Sequence, residues 1–74
     1  MNDADLIRLV DSLEDQSEGY LALDDVLAAA RDDVSASVER GLLLVDYRTG
    51  TDGSPVTVCR LNRRHPLVVE LTRW

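Results

Sequence analysis

Seventy-four residues make one domain with a small core, because a chain this short buries only about 60 to 65 per cent of the surface its unfolded form exposes. An apolar content of 45 % argues against disorder, and with no Phe, two Tyr and one Trp the core must be aliphatic, built from Leu, Val, Ala and Ile. A net charge of −6 makes the chain repel other polyanions unless its charges are segregated.

Residues 3–14 carry Leu6, Leu9, Val10 and Leu13 at spacings of three and four, with Asp3 and Asp5 where a helix dipole favours carboxylates; this predicts an amphipathic first helix. The polar stretch 15–19 breaks the pattern, and residues 20–23 resume it in an extended, apolar form that can pair as a very short strand. Asp24 is the expected N-cap of a second helix running through Val26, Leu27, Ala28, Ala29 and Ala30 to Arg31. Asp32 or Asp33 caps a third helix, with Val34, Val38 and Leu42 inward and Ser35, Ser37, Glu39 and Arg40 outward. Gly41 is placed to supply the left-handed backbone at that helix's end. A strand over 42–47, turn chemistry over 49–54 and a second strand over 55–62 make a β-hairpin. Pro66 suits the first position of a last helix, along which Leu67, Val68, Leu71 and Trp74 recur at helical spacing.

Charge divides along the chain. Residues 1–39 hold eleven acids against Arg8 and Arg31, whereas residues 40–74 hold six Arg against Asp46, Asp52 and Glu70. This is read either as a basic face for a phosphate backbone opposite an acidic one, or as Arg scattered over a solvated surface. The only basic cluster is Arg60, Arg63, Arg64 and His65, whose arginines either pair with acids of the first half or bind phosphate. No enzyme reading has support: His65 is the single histidine and is expected as a turn residue or cap, and the Asp24-Asp25 and Asp32-Asp33 pairs are expected as caps and dipole partners. Cys59 stands alone, with neither an internal disulfide partner nor metal-ligand spacing, so no cofactor or metal is expected. No apolar run approaches the ~20 residues that span a bilayer, and the start MNDAD lacks a secretory pattern; no membrane partner and a cytoplasmic location are expected.

The phrase Val38-Glu39-Arg40-Gly41-Leu42-Leu43 resembles the passage from recognition helix to wing in many bacterial and archaeal transcriptional regulators. Leu61-Asn62-Arg63-Arg64-His65-Pro66-Leu67-Val68 resembles the end of the second wing strand and the start of the last helix in repressors of the multiple-antibiotic-resistance and arsenical-resistance type. The resemblance implies an α+β, small winged helix-turn-helix domain over residues 1–74: three helices, a two-stranded β wing and a short C-terminal helix. It implies a transcriptional regulator whose third helix enters the major groove of duplex DNA while the wing reaches the backbone beside it. Carried onto this chain, that points to Arg31, Ser35, Ser37 and Arg40 on or beside the helix and to Arg48 and Arg60 flanking the wing, with Arg63 and Arg64 as further phosphate contacts. The chain departs from the pattern in the acids Asp32, Asp33 and Glu39 on the third helix and in Asp52 at the wing tip. The alternative is an acidic winged helix that binds a protein partner or itself and not DNA. A homodimer is expected through the last helix, at Leu67, Leu71 and Trp74, where Trp74 either covers that surface or folds back on the first helix.

Overall fold

The computed structural model describes residues 1–17, 20–31 and 33–73. Among them the chain forms four helices and a three-stranded antiparallel sheet in the order α1 (Asp3–Gln16), β1 (Leu21–Ala22), α2 (Leu23–Ala30), α3 (Ser35–Glu39), β2 (Leu43–Thr49), β3 (Pro55–Leu61) and α4 (Pro66–Thr72). It is a small α+β fold. None of the described helices is long and apolar enough to cross a membrane.

Helix α1 begins where the Asn2 side chain accepts the Asp5 N–H at 2.8 Å, with Asp3 and Asp5 in the positive first turn. Its buried stripe is Leu6, Ile7 and Val10, while Leu9 and Leu13 flank it half-buried. The sequence reading left out Ile7, which is fully buried; the stripe is centred one position away from the Leu6-Leu9-Leu13 line. Helix α2 opens at Ala22, with no side-chain cap, so Asp24 is not an N-cap but lies with Asp25 in the first turn. The chain pairs as β1 up to Ala22 and turns directly into the helix, leaving Asp24 two residues too late to cap. Arg31 closes α2 in the left-handed region at φ 55°.

The N-cap position of α3 is Val34, which makes no side-chain cap bond, so Asp33 is not the N-cap; it lies one residue earlier, where its Oδ1 accepts the Ser35 N–H at 2.9 Å and the Ser35 hydroxyl at 2.6 Å. Both bonds hold the Asp33 carboxyl below its usual pKa range, the hydroxyl contributing most. The alternative cap, Asp32, lies outside the described residues. Past Glu39 the Gly41 N–H donates to the Val38 carbonyl and the Leu42 N–H to the Ser37 carbonyl, both at 3.0 Å, with Gly41 at φ +77°. This is a Schellman closure, and it delivers Leu42 into the core and Leu43 into β2.

Strand β3 is central: the sheet order is β1-β3-β2, with Leu21 opposite Cys59 on one side and Leu43 to Thr49 opposite Leu61 to Pro55 on the other. Leu21, Leu43, Cys59 and Leu61 share the face that joins Leu6, Ile7, Val10, Val26 and Val68 in the core. Val58 points to the opposite face and is still only 6 % exposed, buried outside that core. The hairpin turn is closed by Gly50 N–H to the Ser54 carbonyl at 2.7 Å and by the Asp52 carboxylate on the Ser54 N–H at 2.9 Å. Helix α4 starts at Pro66, with His65 Nδ1 accepting the Leu67 N–H at 3.2 Å, and packs on α1.

Asn62 locks the two ends of the hairpin's base. Its side-chain N–H donates to the Gly41 carbonyl at 2.8 Å, its Oδ1 accepts the Arg64 N–H at 3.1 Å, and its own N–H donates to the Leu42 carbonyl at 2.8 Å. One half-buried side chain thus fixes both the exit from α3 and the entry to α4.

Candidate nucleic-acid interface

The arginines fall into two groups with different surroundings. Around α3, Arg31 is exposed at the turn from α2 and makes no ion pair among the described residues. Ser35 is exposed at the start of α3 with its hydroxyl committed to Asp33. Arg40 is exposed at the end of α3, but its guanidinium is bound to the Asp3 carboxylate of α1. Ser37 corrects the expectation of an outward side chain: it is 6 % exposed on the inner side of α3, and its hydroxyl accepts from the Arg40 guanidinium at 3.5 Å rather than facing a ligand on the helix surface.

The second group lies on the sheet face that looks away from the core. Antiparallel register places Leu44 opposite Arg60, Asp46 opposite Val58 and Arg48 opposite Val56, all on one face. Tyr20, just before β1, together with Leu44, Asp46, Arg48 and Arg60 borders an open depression of about 590 Å³ that the buried Val58 also lines. A second depression adjoins it at Leu44 and Arg60 and is bordered by Asn62, Arg63 and Arg64. Arg48, Arg60 and Arg64 make no ion pairs among the described residues.

Arg63 is held within the molecule. Its Nη2 lies 3.0 Å from Asp11 Oδ1 and 2.6 Å from Glu14 Oε2. Partial burial works against its charge, but the hydrogen bond to Asp11 and the nearby carboxylates outweigh that and hold its pKa above the ordinary value. Of the two outcomes open for the Arg63-Arg64 pair, Arg63 takes the intramolecular one and Arg64 stays exposed.

Leu67 and Leu71 are half-buried and pack against the chain's own core, while Val69 is the exposed apolar residue of α4. The area that α4 offers a second copy is therefore smaller than its leucine spacing implied. Trp74 lies outside the described residues. The sequence reading missed Tyr20, Leu44 and Asn62. Alternation along β2 could have put Leu44, Asp46 and Arg48 on one side, but joining them to Tyr20 and Arg60 required the strand register.

Beside α3, Arg31 has no ion pair among the described residues while Arg40 is paired with Asp3, and Arg48, Arg60 and Arg64 stand without ion pairs over the sheet, where Asp46 shares their face. Comparison with protein families, with curated proteins and with solved structures finds no significant match for this chain.

Proposed function

We propose that this chain is a winged helix-turn-helix domain that binds duplex DNA, acting as a small transcriptional regulator. The observation that carries the reading is the topology. Arg31 ends α2 in the left-handed region and α3 begins at Ser35, α3 passes through Gly41 straight into a hairpin of two seven-residue strands, and the short β1 pairs with the second of them. That is the order in which a winged helix sets its recognition helix and wing side by side.

In this reading α3 approaches the groove with Arg40 at its end and Arg31 at the end of α2 before it, and Arg48 meets the phosphate backbone from the wing. Ser35 serves as a short polar contact, and Arg60 and Arg64 add positive field at the base of the wing. Arg40 must exchange Asp3 for phosphate, so affinity is modest, and it falls with salt mainly through the other phosphate contacts. Titration of a fluorescent duplex with the wild-type chain and with Arg31→Ala and Arg48→Ala tests it. Weaker binding in both variants supports the assignment, and equal binding removes these residues from the interface.

A second reading is favoured by one specific observation: the exposed acids Asp33 and Glu39 flank α3, and its nearest arginine is already neutralised by Asp3. On this reading the domain is a protein-interaction module, indifferent to DNA at any moderate salt.

A further inference from the structure

Strand β2 is an edge strand. Only Leu43 of its seven residues is buried, and among the described residues no strand covers its outer side. Exposed edges of this length invite pairing with another chain. The hydrogen-bond parity says which peptide groups are open. Asn62 N–H donates to the Leu42 carbonyl and Gly50 N–H to the Ser54 carbonyl, so even-numbered residues of this strand turn their peptide groups toward β3. The peptide groups of Val45, Tyr47 and Thr49 therefore face outward. The Tyr47 N–H fits this: it donates to the Asp46 carboxylate at 2.8 Å rather than to β3. Tyr47 is 72 % exposed and Val45 37 %, both on the face that Leu43 leads into the core.

We propose that two copies of this chain associate through β2, antiparallel about a two-fold axis that sets Tyr47 against Tyr47. The strand's own sequence selects that register. An axis at Asp46 would oppose two carboxylates, and one at Arg48 two guanidiniums. An axis at Val45 would set Leu44 against Asp46, with no charge pair. The axis at Tyr47 opposes Asp46 of each copy to Arg48 of the other, twice, on one face, and stacks the two tyrosines between Val45 and Thr49 on the other. It also makes Tyr47 with Tyr47 and Val45 with Thr49 the hydrogen-bonded pairs, as the outward peptide groups require. On pairing, each Tyr47 N–H exchanges its own Asp46 carboxylate for the partner's Tyr47 carbonyl, and the freed carboxylate turns to the partner's Arg48. The occupant is a second copy because the strand is complementary in charge to itself. A domain this small also gains stability by pairing.

The proposal does not rest on the DNA reading, and the two meet at Arg48, whose guanidinium pairs with Asp46 of the other copy in the dimer and is open to phosphate in the separated chain. It is tested by sedimentation velocity over a wide concentration range on the wild-type chain, Asp46→Arg, Arg48→Asp and the double variant carrying both changes. The wild type is expected to dimerise. Each single reversal is expected to weaken the dimer by at least about tenfold, since it turns two attractive cross-strand pairs into two repulsive ones, and the double exchange to restore it. Asp46→Arg adds positive charge beside Arg48, so it separates the two readings: it breaks the dimer without lowering DNA affinity. As an independent arm, Tyr47→Cys is expected to form a covalent dimer on mild oxidation, since paired residues in this register lie about 5.5 Å apart, whereas Thr51→Cys in the turn is not. A wild type that stays monomeric, single variants that dimerise like the wild type, or a double variant that fails to recover would each overturn the proposal.

Discussion

Glu14 and Arg63, forty-nine positions apart in the chain, meet at 2.6 Å, and the other carboxylate oxygen of Glu14 accepts the Leu61 N–H at 3.1 Å. One carboxylate of α1 thus closes the last free peptide group of β3 and holds the junction that leads to α4. The two functions differ in cost. Glu14→Ala leaves the partly buried Leu61 N–H without its acceptor and is expected to cost about 1 to 2 kcal/mol. Arg63→Ala removes a half-exposed ion pair that water and salt already weaken, and is expected to cost under about 1 kcal/mol. Urea unfolding of both variants checks the order, and equal losses would contradict it.

Cys59 predicts a loss of stability in alkali. Burial, reinforced by the negative charge of Glu14, pushes the thiol up to about 11 from an ordinary 9.0. Between these values the unfolded chain releases its proton while the folded chain keeps it. The thiol's contribution is therefore complete below about pH 9 and is lost as pH rises through about 11. Unfolding midpoints measured across that range should fall for the wild type and less steeply for Cys59→Ala. At neutral pH a thiol reagent should react with the folded chain no faster than the chain opens.

Gly41 isolates the cost of a backbone conformation. It lies at φ +77°, and the nearest atom a Cβ would meet, in His65, is 3.9 Å away, an ordinary contact. Gly41→Ala is therefore expected to destabilise by about 1 to 2 kcal/mol through left-handed strain alone, and Gly41→Asn by less. A larger loss in denaturant titration would mean that side-chain crowding contributes as well.

The helices, the hairpin and the Gly41 stop were legible because each follows a local rule: apolar residues at spacings of three and four, Asp-Gly between alternating runs, a glycine after the last helical turn. What was not legible depended on contacts distant in sequence. Ser37 reads as an outward polar residue until the fold buries it, and Leu67 and Leu71 read as a partner surface until they pack against the chain's own core. The pairing of Arg63 with Asp11 and Glu14, and of Arg40 with Asp3, required the fold to bring the acidic half onto the basic one. The grouping of Tyr20, Arg48 and Arg60 required the register of three strands.

The Asp3 contact makes a prediction of unusual sign. If Arg40 is a phosphate ligand that Asp3 holds in reserve, Asp3→Asn should strengthen DNA binding by roughly three- to tenfold, because the guanidinium no longer exchanges one anion for another. Fluorescence anisotropy of a labelled duplex would measure it. Unchanged affinity would place Arg40 outside the interface.

The most direct test of the DNA reading is the slope of log affinity against log salt for the wild-type chain on duplex DNA. Phosphate contacts by Arg31, Arg40 and Arg48 predict measurable binding near ~50 mM salt and a slope of about −2 to −3. No binding at that salt would contradict the account and leave the protein-interaction reading in its place.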